Sequence, residues 1–349
     1  MPKIVFLDTY YPQVFNKLPK AYSYEQRVEQ LNSLLFGTSF FYSAAFKKMG
    51  WQAEDVVVND PWFPSHDSAF GWILASEPDV IYCQDLSWLT DSDISIIKDQ
   101  KIKLVAQHSC PWAGNDRISK FDLIFSSFPH YLPRIQQLGP QAEFLPIAFG
   151  EQVLDYVEPI SRDIDITFVG GVGGGAFGSG HWNKGTELLE TVARSFGERF
   201  HWYGYGIGNL PHLSALRNCW RGEAWGIDQY KVYARSKIVI NRHGEVAEGY
   251  TNNMRCFEAT GMGALLLTEE SKNLDYYFNK YTECLAYKDT ADCVDWIENI
   301  LSDYRNEESP FAEAEPIGIA AAGQARTLKD HTYTKRLEDA EPHIRRLLK

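Results

Sequence analysis

The chain has 349 residues, 44% of them hydrophobic and 14% aromatic, enough for about two domains with substantial cores and too apolar for a disordered chain. A net charge of −12 and an isoelectric point near 5.3 argue against broad binding to nucleic acid or to an anionic membrane, while leaving room for a local basic pocket that takes a phosphate. The six cysteines (Cys83, Cys110, Cys219, Cys256, Cys284 and Cys293) form no C-x-x-C pair and no metal-ligand spacing, so neither a zinc site nor a disulfide framework is signalled and a reducing compartment is expected.

The chain opens directly into the apolar run Ile4-Val5-Phe6-Leu7, with one lysine before it and no cleavable signal, and no apolar stretch reaches about 18 residues. A cytoplasmic protein without a transmembrane segment is therefore expected. Lys3–Leu7 reads as a strand, Tyr24–Met49 contains a long amphipathic helix, and Ala53–Val58 is a second strand. Asp79–Cys83 and Lys103–Gln107 follow, each after a plausible helix. Leu123–Ser126 is strand-like, Tyr131–Leu138 helical, and Glu143–Leu145 closes the half before Pro146. This is the β-α-β rhythm of a parallel sheet with helices on both faces.

The pattern restarts near Asp163. Ile164–Val169 is a strand, followed by a glycine-rich loop, the helix Thr186–Phe196 and the strand Phe200–Tyr203, which ends in Gly204-Tyr205-Gly206. Tyr230–Ala234 is helical and Ile238–Asn241 a strand. A short helix around Arg255 and Glu258 leads into the strand Ala264–Thr268, and a helix-rich tail follows. Two doubly wound α/β domains joined near residues 150–162 are expected, with ligands outside the carboxyl ends of the strands and a cleft between the domains.

The most informative stretch is Asn252 through Gly263, followed by Ala264-Leu265-Leu266-Leu267-Thr268. Arg255 and Glu258 sit three residues apart, on one side of the short helix. Such a helix points its N-terminal N–H groups at the crevice beside the sheet, where a diphosphate binds, with Thr251 or Asn252 as its cap. Glu258 lies about a turn further in and can accept two hydroxyl hydrogen bonds, as from a ribose. Together these make a site for a sugar nucleotide. The alternative is an amphipathic helix whose Arg255 and Glu258 are solvated surface.

Gly170–Gly180 holds seven glycines in eleven residues, so its backbone, Gly170 and Gly171 included, can approach phosphate or sugar closely. It contains G-x-G-x-x-G at Gly173, Gly175 and Gly178, but about a dozen residues separate it from the next helix, and the strand His201-Trp202-Tyr203 ends in Gly204 rather than an acid. A nicotinamide dehydrogenase is therefore disfavoured. Lys184, with His181 as a secondary candidate, enters the helix Thr186–Phe196 beside this loop and is placed to neutralise a diphosphate. Asn241 and His243 stand at a strand's carboxyl end, where polar side chains face the crevice, although Asn241 serves local backbone equally well. In the N-terminal half His108 and Asp85 have the same placement, and either can act as a general base or orient an acceptor hydroxyl. Aromatic residues in Tyr10–Tyr24 and Trp62–Trp72 either stack on sugar rings or belong to the core. No H-E-x-x-H, G-x-S-x-G or P-loop is present.

Several of these segments, in order, resemble the GT-B glycosyltransferases of group 1 type, in the branch that includes the spore-maturation-protein-like family. They are Asp163 through Gly170, Tyr203-Gly204-Tyr205-Gly206, Tyr233 through Asn241, Asn253 through Thr268, Gly323-Gln324-Ala325-Arg326, and His331-Thr332-Tyr333 with Arg336. The N-terminal half fits more loosely, through Phe121-Asp122-Leu123-Ile124 and Leu145-Pro146. The resemblance implies two Rossmann-like domains facing a central cleft. An acceptor-side domain would span residues 1–155 and a nucleotide-sugar-binding domain 156–332, with a final helix in 333–349 returning to the first. It also implies that Glu258 binds the donor ribose, that Lys184 meets the diphosphate and that Tyr205 lies near the base.

The activity implied is transfer of a sugar, of the hexosyl type, from a nucleotide-diphosphate donor to a glycan, lipid-linked or protein-linked acceptor in surface polysaccharide or glycoconjugate synthesis. No metal or other cofactor is required, because positive groups and a helix dipole take the metal's place. Many retaining relatives carry a glutamate eight residues before the one matching Glu258, and Tyr250 stands there, which leaves the stereochemistry open. A sugar-nucleotide 2-epimerase of the same fold and a non-catalytic sugar-nucleotide-binding protein are the competing readings.

Overall fold

The computed structural model describes residues 1–16, 18–109, 112–172, 185–303 and 314–349. The chain divides into two compact units, residues 1–150 together with 333–349, and residues 151–332.

The first unit is built on six parallel strands, β1 Lys3–Asp8, β2 Gln52–Val57, β3 Val80–Cys83, β4 Lys103–His108, β5 Leu123–Ser126 and β6 Gln141–Phe144, in the order β2-β1-β3-β4-β5-β6. β3 and β5 are buried along their whole length, as near-continuous apolar runs in a two-sided parallel sheet should be. The chain leaves β1 for β2 on one side and returns to β3 on the other, so the order of strands reverses at β1.

The expected long helix within Tyr24–Met49 is two helices, Tyr24–Ser33 and Phe41–Lys48. Leu35, Gly37 and Ser39 all have positive φ between them. A left-handed residue cannot continue a right-handed helix, and the break lets Leu35 and Phe41 both turn into the core. The helix Phe41–Lys48 carries the C-terminal helix Tyr333–Arg346. Tyr333 stacks on Phe41 at 5.6 Å, its N–H donates to the Phe149 carbonyl, and the Trp51 indole donates to Glu341 at 2.7 Å.

The second unit holds five parallel strands, β7 Ile164–Val169, β8 Phe200–Tyr203, β9 Ser236–Asn241, β10 Leu265–Glu269 and β11 Leu285–Tyr287, in the order β11-β10-β9-β7-β8. Its core is formed by alternate residues of β7 and β9 (Ile166, Phe168, Ile238, Ile240) against Leu188, Leu189 and Val192 of the helix Thr186–Phe196 and against Trp202. The strand order reverses at β7, between β8 and β9. Among the described residues no helix is long and apolar enough to cross a membrane.

Candidate functional site

Open parallel sheets bind ligands outside the carboxyl ends of their strands, at the point where strand order reverses. In the second unit that point is the gap between the ends of β7 and β9, and two arginines occupy it. Arg255, near the start of the helix Met254–Gly261, donates from Nε to the Val169 carbonyl at 2.8 Å and from Nη1 to Oδ1 of Asn241 at 2.8 Å, with its guanidinium 4.5 Å from the Phe168 ring centre. Arg242, the first residue after β9, donates from Nη2 to the Gly171 carbonyl at 3.1 Å and lies 5.6 Å from the same ring. Both side chains are buried. Burial, followed by the charge of Arg255, pulls the Arg242 pKa down to about 10. Two desolvated like charges at one strand end make a strongly anion-attracting place.

Glu258 lies one turn beyond Arg255 and is only 5% exposed, so the solvated-surface alternative for this helix does not describe it. Gln229, on the helix Ile227–Arg235, donates to Oε2 of Glu258 at 2.7 Å, and Tyr230 adds a second hydrogen bond. Burial pushes the carboxyl up to about 7, against the opposing pull of Arg255 and of the two hydrogen bonds. The group is therefore poised between a hydroxyl-accepting carboxylate and a neutral acid near physiological pH.

The late motif residues hold this helix from behind. Gln324 donates to the Gly261 carbonyl at 2.9 Å, the hydroxyls of Thr260 and Thr327 meet at 2.6 Å, and His331 and Arg326 both bond to the Tyr277 carbonyl. Gln324 and Thr327 thus support the helix itself, and Arg326 and His331 the neighbouring helix Leu274–Tyr277.

The loops after β7 and β8 cross backbone on backbone. Trp202 donates its indole N–H to the Gly170 carbonyl, and Val172 N–H donates to the Tyr205 carbonyl. A Cβ on Gly204 would stand 2.0 Å from the Gly170 oxygen, and one on Gly206, at φ +97°, would stand 2.0 Å from the Val172 oxygen. Only glycine fits at either position. Tyr205 is thereby held half-buried, its ring parallel to Trp225 at 5.9 Å and over the backbone of Gly171.

The remaining predicted residues fall into different places. Asn241 is fully buried, taking the Arg255 bond on its oxygen and giving its amide to Thr268 at 2.9 Å, so it stands behind Arg255 rather than facing the crevice. His243 is buried against Glu269, with its backbone N–H on the carboxylate and Nε2 at the carbonyl. Thr251 bonds to Asn273 and Ser271 and caps nothing. The cap of the helix is Asn253, whose side chain accepts from Arg255 N–H, with Asn252 half-buried in the turn before it. Tyr250, at the position of the glutamate of retaining relatives, is half-buried with Lys272 Nζ 4.9 Å from its ring. Lys184, His181 and Gly173 through Gly180 lie outside the described residues, while Gly170 and Gly171 stand at the end of β7 under the arginines and Tyr205.

In the first unit, His108 ends β4 and is 3% exposed, with its ring between Tyr131 at 5.7 Å and Trp112 at 5.3 Å. Burial, then the nearby Arg134, pushes its pKa down to about 4, so it is neutral at pH 7. Asp85 accepts from the Ser87 N–H and hydroxyl and from the Thr9 hydroxyl, and no hydrogen bond or ion pair joins it to His108. Two acids that sequence reasoning missed lie in this unit, one of them at the reversal point of its sheet. Asp8, the last residue of β1, and Asp55 of β2 are both pushed up to about 7, chiefly by burial. They share a cavity of about 10 Å³, the size of one water, with Tyr10, Thr38 and Ser39. Asp8 carries a signal, an acid at the end of an apolar run, whereas Asp55 lies mid-strand beside Glu54 and carries none.

Residues 184–341, a stretch that includes Arg242, Arg255 and Glu258, match the model of a family described as glycosyl transferase-like. A search of curated proteins finds no match. Among solved structures, the sucrose-phosphate synthase of Thermosynechococcus elongatus is similar at TM-score 0.62 and 12% identity, covering 100% of this chain and 99% of that one. AviGT4, a glycosyltransferase involved in avilamycin A biosynthesis, is similar at 0.62 and 13% identity over 100% and 98%. HepE of Anabaena, solved in complex with UDP and glucose, is similar at 0.60 and 12% identity over 99% of each chain. At these identities the likeness is one of fold. The chain has the α/β fold of the GT-B glycosyltransferases along its whole length.

Proposed function

We propose that this protein is a glycosyltransferase whose second unit binds a nucleoside-diphosphate sugar. The observation that carries it is the placement of Arg242, Arg255 and Glu258 at the reversal point of one parallel sheet, two buried cations beside a buried carboxyl. The diphosphate sits against Arg242 and the N-terminal N–H groups of the helix Met254–Gly261, and Glu258 accepts the ribose hydroxyls. Lys184 adds a further cation. Tyr205, flat against Trp225, offers a ring to the base. The family match over residues 184–341 supports this, as does the binding of UDP and glucose by a protein of similar fold.

The reaction breaks the bond between the sugar's anomeric carbon and the diphosphate oxygen and forms one to an acceptor hydroxyl, whose proton is lost. The electron pair of the broken bond stays on the diphosphate, where Arg242 and the helix N-terminus stabilise it. Losing one such donor typically costs on the order of 100-fold in rate. In this proposal those positive groups do the work of a metal. The first unit takes the acceptor, with neutral His108, Asp85 or Asp8 as candidates to receive its proton, and the acceptor is a glycan or glycoconjugate assembled in the cytoplasm.

Thermal-shift measurements against UDP, GDP, dTDP and CMP test the donor site, because a ligand of the native state raises its melting temperature. One nucleoside diphosphate is expected to raise Tm in the wild type and to have no effect in Glu258→Ala. No shift from any of them, or an unchanged shift in the variant, overturns the assignment. Donor incubated alone should yield no epimer, and an epimer would replace transfer with 2-epimerisation.

A further inference from the structure

The loops that follow β9 and β10 are stitched together just ahead of the helix Met254–Gly261. Lys272 N–H donates to the Gly249 carbonyl at 2.8 Å, Thr251 N–H donates to Oδ1 of Asn273 at 2.7 Å, and the hydroxyls of Thr251 and Ser271 bond to each other. Both loops leave the carboxyl ends of adjacent strands, so this clamp stands on the ligand-binding edge of the sheet.

Lys272 is exposed, yet its side chain is held along its length. The stem runs past Gly249, where a Cβ would come within 3.3 Å of Cε, so glycine makes room for it. The ammonium lies 4.9 Å from the centre of the Tyr250 ring, and Nζ donates to the Glu248 carbonyl at 2.9 Å. Glu248 aims that carbonyl from a left-handed conformation, φ +52°, which residues with a Cβ rarely adopt. Lys272 forms no ion pair among the described residues. One neutral carbonyl leaves two of its three N–H groups and its whole charge for a ligand. Nδ2 of Asn273 is buried without a hydrogen-bond partner among the described residues, a second unused donor beside the same loop.

The donor's own connectivity decides which part of it arrives here. Glu258, one turn inside the helix, takes the ribose, and the diphosphate lies at the helix N-terminus. The sugar hangs on the far phosphorus, so it continues past the first turn toward residues 249–252 and the lysine laid over them. We propose that Lys272 selects a donor whose sugar carries a carboxylate, a hexuronic acid. An ammonium fixed in advance and free of a carboxylate partner gains a charge-assisted hydrogen bond from a uronate, and the neutral hydroxymethyl group of a hexose cannot replace it. This deepens the donor-site assignment and rests on it.

The full-length chain is titrated calorimetrically with UDP, GDP and dTDP and with paired sugar nucleotides: UDP-glucose and UDP-glucuronate, UDP-galactose and UDP-galacturonate, GDP-mannose and GDP-mannuronate, dTDP-glucose and dTDP-glucuronate. One uronate is expected to bind the wild type about tenfold or more tighter than its neutral partner. Lys272→Met keeps the stem and removes the charge, so it should abolish that ratio and leave the nucleoside diphosphate affinity unchanged, while Lys272→Arg keeps most of the ratio. Because the side chain is exposed, Lys272→Met should melt within a few degrees of wild type. A nucleoside diphosphate that binds, with equal affinity for uronate and neutral sugar in every pair, overturns the inference and leaves the donor site standing. A loss in Lys272→Met that is equal for the nucleoside diphosphate and both of its sugar nucleotides also overturns it and moves the lysine to the diphosphate. Binding of no nucleotide at all removes the donor site and the inference together.

Discussion

Gln229 holds Oε2 of Glu258 at 2.7 Å, which ties the carboxyl of one helix to the helix that precedes β9. The bond fixes the orientation of the carboxyl before any ligand arrives. Gln229→Ala is therefore expected to weaken nucleoside-diphosphate binding by about tenfold, a typical value for a hydrogen bond to a charged group, while Glu258→Ala abolishes it. Isothermal titration with the nucleotide found by thermal shift measures both. A Gln229 variant that binds as wild type would mean that the carboxyl needs no outside help.

The pH dependence of that binding has a defined sign. With its pKa raised from 4.5 to about 7, Glu258 is protonated in the free protein below pH 7. Ribose hydroxyls donate to a carboxylate, so nucleotide affinity should rise between pH 6 and pH 8 and be flat in Glu258→Gln. Stability moves the other way. The folded state binds more protons than the unfolded one between the two pKa values, so this group's contribution falls as pH rises from about 4.5 to 7. Melting curves of wild type against Glu258→Gln, taken without nucleotide at pH 5 and pH 8, should show it.

Much of this arrangement is legible in the sequence, and the rest is hidden for physical reasons. The bounds of β7 and of the helix Thr186–Phe196 follow from their periodicity, and Glu258 stands out from its place between a cap and a glycine pair. Arg242 does not stand out. One arginine after an apolar strand reads as solvated, and its burial depends on Gly171, 71 positions upstream, and on the Phe168 ring. The cap was misplaced because Thr251, Asn252 and Asn253 all suit that role by residue type, and only the backbone decides among them. β11 was missed because three residues are too few to show a period. Tyr10 and Tyr24 read alike from sequence, and only packing makes the first core and leaves the second half-buried.

Asp8 and Asp55 provide a second pH test. Each is raised from 3.8 to about 7, so the stability they contribute is fully present below about pH 3.8 and is lost as pH rises toward 7. Asp93, Asp163, Asp165 and Glu190 have lowered pKa values and act in the opposite sense at acid pH, so the comparison must be between variants. The difference in Tm between Asp55→Asn and wild type should shift in the variant's favour on going from pH 5 to pH 8. A constant difference would place the titration elsewhere.

The crossing of the loops after β7 and β8 leaves no room for a methyl group. Gly204→Ala puts a carbon about where the Gly170 oxygen requires empty space, and the backbone must open. A loss of roughly 3 kcal/mol or more in urea unfolding is expected, at the upper end of overpacking costs. Gly208→Ala, whose Cβ would meet nothing within 4 Å, is the control and should unfold as wild type.

The two arginines should separate by what their loss disturbs. Arg255 bonds to Val169 and Asn241 and so braces β7 against β9. Arg255→Ala leaves both partners buried without it, and a destabilisation on the order of 3 kcal/mol is expected. Arg242 bonds to the Gly171 carbonyl at 3.1 Å, and burial makes its charge costly where it stands. Arg242→Gln should therefore change stability little and act on the ligand's phosphates. The expected result is a loss of roughly 10-fold to 100-fold in affinity for the nucleoside diphosphate, with the far weaker binding of the nucleoside unchanged, which collapses the ratio between the two. If both ligands weaken equally, Arg242 shapes the pocket rather than meeting phosphate, and the diphosphate must find its charge at Arg255, Lys184 and the helix N-terminus.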